Sequence, residues 1–223
     1  MNIPEFRRIP EHLGVIPDGN RRWAHKQGMD KEQGYLPGVD AGFEMYQLCL
    51  QLGIEELTFY GFTQDNTKRP KKQRIAFQRA CVEAVLRLTE EDAQLRVVGN
   101  SDSDMFPKKL KPFSKRRTFG RGQMKVNFLV NYDWSWDLHQ LFESKKPSGS
   151  SRKAVAGAIG SHDISRIDLI IRWGGRRRLS GFLPVQSVYA DVYVEDALWP
   201  DFQPQHMFDA LKWYQSQDIT LGG

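Results

Sequence analysis

Short strand-like runs alternate along this chain with stretches of helical periodicity, and that alternation constrains the fold more than any other feature. The runs fall at 13–16, 54–62, 94–98, 125–131, 167–171 and 188–194. A strand that hands over to a helix and returns as another strand builds a parallel sheet with helices on its faces. The sequence therefore predicts an α/β fold with a mostly parallel central sheet. Residues 38–52 place Phe43, Tyr46 and Leu50 on one helical face and stop at Gly53, a natural C-cap. Residues 71–92 form a second helix with Ile75, Phe77, Cys81, Val85, Leu86 and Leu88 as its apolar face. Residues 107–119 read as a basic helix, 133–143 and 153–160 as further helices, and 145–152, rich in Ser, Gly and Pro, as a flexible link. No internal repeat stands out, and 223 residues suit a single domain, 1–223, with a substantial core.

In such a sheet ligands collect beyond the C-terminal ends of the strands, so the residues that follow each strand matter most. The first strand runs into Asp18-Gly19-Asn20-Arg21-Arg22-Trp23, a turn delivered to a helix N-terminus, where free backbone N–H groups favour phosphate oxygens. Arg22 can clamp a phosphate through its planar fork. Asp18 repels a phosphate unless a cation lies between them, and a hard divalent ion, Mg²⁺, held by Asp18 and the substrate's own phosphates resolves the conflict. An ordinary Asp-Gly turn with Asn20 as N-cap is the competing reading. After the later strands come Thr63 to Pro70 with Asn66 and Arg69, then Gly99-Asn100, Asn131-Tyr132-Asp133, and Arg172-Trp173-Gly174-Gly175-Arg176-Arg177-Arg178-Leu179-Ser180. Helix caps account for Asn and Asp at these places but not for the arginines, which favour a phosphate site over a plain turn.

The formal net charge of +5 is concentrated in Lys108, Lys109, Lys111, Lys115, Arg116, Arg117, Arg121 and Lys125. A solvated face is the commonest use of such a run; an anionic membrane surface and nucleic acid are the others, and no nucleic-acid-binding motif accompanies it. No apolar run approaches the roughly 20 residues of a membrane span, and residues 1–12 lack the apolar centre of a signal peptide. A cytoplasmic location is expected. Cys49 and Cys81 read as buried thiols, and the five histidines show no ligand spacing.

Asp18-Gly19-Asn20-Arg21-Arg22-Trp23-Ala24, Tyr60-Gly61-Phe62-Thr63 with Asp65-Asn66 and Arg69-Pro70, Asn131-Tyr132, Asp168 to Arg172, and Leu198-Trp199-Pro200-Asp201-Phe202 occur in that order. Together they resemble the motifs of the cis-prenyltransferases, the undecaprenyl diphosphate synthase family, over nearly the whole chain. The resemblance implies a homodimer of α/β subunits with a hydrophobic tunnel, acting on prenyl diphosphates with Mg²⁺; peripheral membrane contact is one use open to the basic run. It implies Asp18 as the catalytic, metal-binding aspartate, with Asn66 as its catalytic companion. Gly19, Asn20, Arg21, Arg22 and Trp23 fall in the first diphosphate loop, Thr63 and Arg69 in the second motif, and Arg172, Arg178 and Ser180 around the diphosphate of isopentenyl diphosphate. Lys31 stands where an arginine is usual, Tyr35 where a histidine is usual, Thr67 where an aromatic is usual, and Asp191 in place of a metal-linked glutamate. Trp173 and Arg176 replace the Thr and Glu of an Arg-Thr-Gly-Gly-Glu motif, and the C-terminal Thr220-Leu221-Gly222-Gly223 lacks its arginine. These departures gather at the isopentenyl side. Two activities follow: Z-selective chain elongation with isopentenyl diphosphate, or a specialised terpene synthase-like reaction on allylic diphosphates alone, head-to-middle or cyclising, as in lavandulyl-type synthases.

Overall fold

The computed structural model of the chain describes residues 3–143 and 151–218. Seven strands form one sheet: β1 (His12–Ile16), β2 (Glu56–Tyr60), β3 (Ala93–Val98), β4 (Arg117–Thr118), β5 (Met124–Leu129), β6 (Leu169–Arg172) and β7 (Asp191–Val194). They lie in the order β4-β3-β5-β2-β1-β6-β7, parallel except for the short edge strand β4. The helices are α1 (Asn20–Lys26), α2 (Tyr35–Leu52), α3 (Lys71–Arg87), α4 (Trp134–Glu143), α5 (Arg152–Ala156) and α6 (Pro204–Tyr214). Every residue of β1 is buried, as a central parallel strand with both faces covered should be. On one face α2 and α3 pack on Leu57, Phe59, Val126 and Phe128; on the other Phe182 and Leu183 pack on Ile16, Leu129 and Ile170. β2 lies on one side of β1 and β6 on the other, so the sheet reverses direction at β1 and opens a crevice beyond its C-terminal end.

The expected elements recur with bounds shifted by a few residues, α2 starting earlier and α3 ending earlier than the pattern gives, and two expectations are corrected. The basic segment is not a long helix: Lys108–Phe113 is a 3₁₀ turn with Pro112 inside it, followed by β4. Two of the arginines of the basic run have internal partners: Arg116 bonds Asp163 at 2.7 Å and Asn127 at 2.8 Å, and Arg121 bonds Asp92 at 2.8 Å. The face assigned to α3 is also too wide, because Ile75 and Leu86 are exposed while Cys81, Val85 and Leu88 are buried. Helix α6 was not anticipated. Residues 145–150 of the expected link and the 220–223 terminus lie outside the described residues.

At the N-terminal end of the strands a buried polar group ties three of them together. His12 Nε2 lies 2.8 Å from Thr58 Oγ1, and Asn127 donates to Thr58 at 2.9 Å and to Glu56 at 2.7 Å. Such groups are tolerated in a core because every member is paired.

Candidate active site

β1 ends at Ile16 and delivers Asp18 and α1 to the crevice; β6, its neighbour, ends at Arg172 in register with Ile16. That register brings together two residues 154 apart: Arg172 Nη2 donates to Asp18 Oδ2 at 2.8 Å. Arg22, one helical turn along α1, reaches Asp18 Oδ1 at 3.5 Å, and Arg176 Nε lies 4.0 Å from Oδ2. Arg172 is nearly buried, with 4% of its side chain exposed, and its other guanidinium nitrogen binds the Arg178 carbonyl and Ser180 Oγ. One side chain thus connects the Asp18 turn to the segment after β6. Gly174 completes the fit: its carbonyl accepts from Arg22 Nη2 at 2.9 Å, and a Cβ there would run into that guanidinium.

Around Asp18 opens a cleft of about 770 Å³ lined by Gly19, Asn20, Arg21, Lys31, Thr63, Asn66, Arg69, Arg178 and Ser180 among others. No side chain caps α1, and its first residues, Asn20, Arg21 and Arg22, line this space with Gly19 before them. Asn20 instead donates through Nδ2 to the Pro17 carbonyl at 2.9 Å, and is no N-cap. On the opposite wall Arg69 donates to the Tyr35 hydroxyl at 3.0 Å. Burial raises the Tyr35 phenol, with Arg69 and Arg21 opposing, and burial lowers Arg69. Tyr35 stacks on Phe77 with ring centroids 4.6 Å apart and planes 1° from parallel.

Behind that stacked pair the lining turns apolar. A crevice of about 80 Å³ runs between α2 and α3 over Phe59 and Phe128, bounded by Val39, Phe43, Ala80, Cys81 and Ala84. Tyr35 and Phe77 belong to both spaces. Phe43, eight residues and so about 12 Å along α2 from Tyr35, marks the far end, where Arg87 lies 4.0 Å over its ring and pairs with Asp40 at 2.8 Å. Cys81 and Cys49 are buried, and burial pushes the Cys81 thiol up to about 12, so neither offers a thiolate.

A cationic cleft that shares part of its lining with an apolar crevice suits a molecule with an anionic head and a hydrocarbon tail. A family model described as "Putative undecaprenyl diphosphate synthase" matches residues 16–222. The chain belongs to this prenyltransferase family. An isoprenyl transferase from Nitrosomonas europaea is 31% identical, over 99% of this chain and 88% of its own. A ditrans,polycis-undecaprenyl-diphosphate synthase from Escherichia coli is 32% identical, over 95% and 89%. Among solved structures, lavandulyl diphosphate synthase from Lavandula x intermedia, in complex with dimethylallyl diphosphate, superposes with a TM-score of 0.84 at 23% identity, covering 96% of this chain and 98% of that one. That likeness bears on the fold.

Of the residues that resemblance to the prenyltransferases singles out, the cleft gathers Asp18, Gly19, Asn20, Arg21, Arg22, Lys31, Tyr35, Thr63, Asn66, Arg69, Arg172, Arg178 and Ser180. Two stand elsewhere. Trp23 points away and donates to Asp201 Oδ1 at 2.6 Å, which gives Asp201 a structural use. Asp191 starts β7 in register with Leu169 and Leu13, three residues short of the rim, so within the subunit it does not meet Asp18. Asn100, Asn131 and Asp133 hold turns and the start of α4: Asn131 donates to the Asn100 carbonyl and Asp133 accepts from Ser135 N. His25 and Lys26, which the motif reading passed over, line the cleft from the same helix face as Arg22, and their spacing of three and four residues was the available signal. Among the described residues no group of three His, Cys, Asp or Glu could hold a metal by itself. Asp65, the other acid of the cleft, is exposed and paired with Lys68 at 2.7 Å. A hard divalent ion would fit this donor set only with Asp18 as its protein ligand, the remaining oxygens coming from substrate and water.

Proposed function

We propose that this prenyltransferase condenses an allylic prenyl diphosphate with isopentenyl diphosphate to a Z-configured prenyl diphosphate, with Mg²⁺ as cofactor. The observation that carries the reading is that the arginine-rich cleft and the apolar crevice between α2 and α3 lie side by side and share Tyr35 and Phe77 in their lining. The allylic head group lies on the α1 N-terminus and Arg22, its tail passing the Tyr35–Phe77 pair. Arg172, Arg178 and Ser180 hold the second diphosphate. The allylic C–O bond breaks with its electron pair going to the departing diphosphate; the isopentenyl double bond attacks the allylic carbon, and a proton is lost. Arg22, Arg69 and the α1 N–H groups act as fixed donors toward the charge that grows on the leaving group, which is the preorganised electrostatic stabilisation such a step needs. Asn66, whose Oδ1 accepts from Thr63 N at 3.1 Å, holds the opposite loop in place. When bound through Asp18, Mg²⁺ adds two further positive charges against the departing diphosphate.

The volume of the crevice favours a second reading beside the first. At about 80 Å³ it is about half the ~150 Å³ of a cavity that takes up benzene. A crevice this narrow suits short products or a reaction of allylic diphosphates alone. We further infer a homodimer working in the cytoplasm, with product leaving toward a membrane surface; among the described residues no helix is long and apolar enough to cross a membrane. The test is product analysis by mass spectrometry after incubation with dimethylallyl, geranyl or farnesyl diphosphate, each with and without isopentenyl diphosphate. Growth by five-carbon steps only with isopentenyl diphosphate supports elongation. Product from allylic substrate alone overturns it in favour of the second reading.

A further inference from the structure

Asp18 and a diphosphate are both anions, and both must sit at one rim. The rim carries eight lysines and arginines (Arg21, Arg22, Lys26, Lys31, Arg69, Arg172, Arg176 and Arg178) against Asp18 and Asp65. Three of these guanidiniums surround Asp18 itself, at 2.8 Å for Arg172, 3.5 Å for Arg22 and 4.0 Å for Arg176. They are not equivalent. Arg172 is nearly buried and committed to the Arg178 carbonyl and Ser180, while Arg22 is partly spent on the Gly174 carbonyl. Arg176 is half-exposed, and among the described residues its one ionic partner is Asp18, at the longest of the three distances.

The backbone that carries Arg176 is held even though the side chain is not. Gly174 N donates to Ala197 O at 2.8 Å and Gly175 N to Glu195 O at 3.0 Å, pinning the strap to the segment after β7. Both glycines adopt left-handed φ values, 82° and 70°, which turn the chain back over Asp18. A cation on a fixed base, loosely engaged at one carboxylate and open to the cleft, can turn to an arriving anion without breaking a tight pair. The guanidinium fork suits phosphate oxygens.

We propose that Arg176 is a diphosphate-binding residue that supplies, from within the protein, the positive charge a divalent ion would otherwise bring to this rim. Together with Arg22 and Arg172 it cancels the charge of Asp18, and on substrate arrival it takes up diphosphate oxygens, so the cleft captures its ligand without Mg²⁺. The inference rests on the reading that the cleft binds prenyl diphosphates.

The test is calorimetric titration of inorganic pyrophosphate into the full chain, once in EDTA and once in Mg²⁺, for the wild type, Arg176→Gln and Arg176→Glu. The wild type is expected to bind in EDTA within about threefold of its affinity in Mg²⁺. Loss of one charge-assisted contact should weaken Arg176→Gln in EDTA about tenfold or more. Arg176→Glu should lose more, and Mg²⁺ should restore most of it. Wild-type binding that requires Mg²⁺ overturns the proposal while leaving the diphosphate cleft intact, as does an Arg176→Gln variant equal to wild type in EDTA. No wild-type binding in either buffer overturns the diphosphate reading and this proposal together.

Discussion

Replacing Arg172 by lysine keeps the charge at the end of β6 and removes the fork. In the wild type one terminal nitrogen of the guanidinium donates to Asp18 Oδ2 at 2.8 Å and the other to the Arg178 carbonyl and Ser180 Oγ, so the side chain ties the Asp18 turn to the strap at 174–181. An ammonium at the same place can hold Asp18 or the strap, not both. If it keeps Asp18, two hydrogen bonds from a charged donor are lost, each worth about 1.5–3 kcal/mol when buried. The strap is partly open to water, which replaces some of that, and a net loss of about 2–3 kcal/mol is expected. Ser180 sits at φ 54°, a left-handed conformation that costs a non-glycine residue energy, and the bond to Arg172 helps hold it there. Urea unfolding should show the midpoint lowered by about 1 M at unchanged slope. Pyrophosphate affinity should fall roughly tenfold, since the strap carries Arg178 and Ser180 into the cleft. A midpoint within experimental scatter of wild type, with unchanged affinity, would refute the claim that Arg172 organises the rim.

Asp18→Asn should cost about a hundredfold or more in turnover yet tighten pyrophosphate binding in EDTA several-fold, because three guanidiniums lose their internal anion; parallel loss of both would contradict the arginine cage. His12 gives a pH effect. Burial lowers its folded-state value from about 6.5, with Glu56 opposing, so below that pH the unfolded chain takes up a proton that the folded chain refuses. Its contribution is present above pH 6.5 and lost as pH falls, at up to about 1.4 kcal/mol per pH unit; urea midpoints between pH 6.5 and 5.5 should fall less steeply in His12→Gln, and equal slopes would dismiss the role. Phe43→Ala opens the far end of the crevice, at a cost of about 2 kcal/mol for a half-buried ring, and should lengthen the products seen by mass spectrometry; an unchanged distribution would place the limit elsewhere.

Much of the rim was legible because it is local. Strand, turn and helix from Leu13 to Lys26 follow from neighbouring residues, and so does the left-handed stop of α2 at Gly53. What the sequence hides is which local pieces meet. The Tyr35–Arg69 contact and the Arg172–Asp18 pair join residues 34 and 154 apart. Sequence comparison placed Asp191 with the metal, but strand register, set by β6 and β7, leaves it below the rim. The exposure of Ile75 and Leu86 escaped because a helix pattern gives a face and not its width. Pro204 at the first turn and Met207, Phe208 and Leu211 on one side were the available signs of α6.

Gly34 and Gly38 carry a consequence for product size. A Cβ on Gly34 would strike the Asn20 carbonyl, and one on Gly38 the Asn20 side-chain oxygen, so the start of α2 lies directly on the Asp18–Asn20 turn. Trp199 fastens the same two pieces, its indole donating to the Gly38 carbonyl at 2.8 Å and its backbone N–H to that of Asp18 at 3.1 Å. The wall of the crevice and the Asp18 turn are therefore joined by close packing and by two hydrogen bonds. Under the proposed elongation the crevice works as a ruler whose zero mark is bolted to the head-group seat. Chain length is then changed by trimming side chains at its far end or by moving α3, and not by sliding α2.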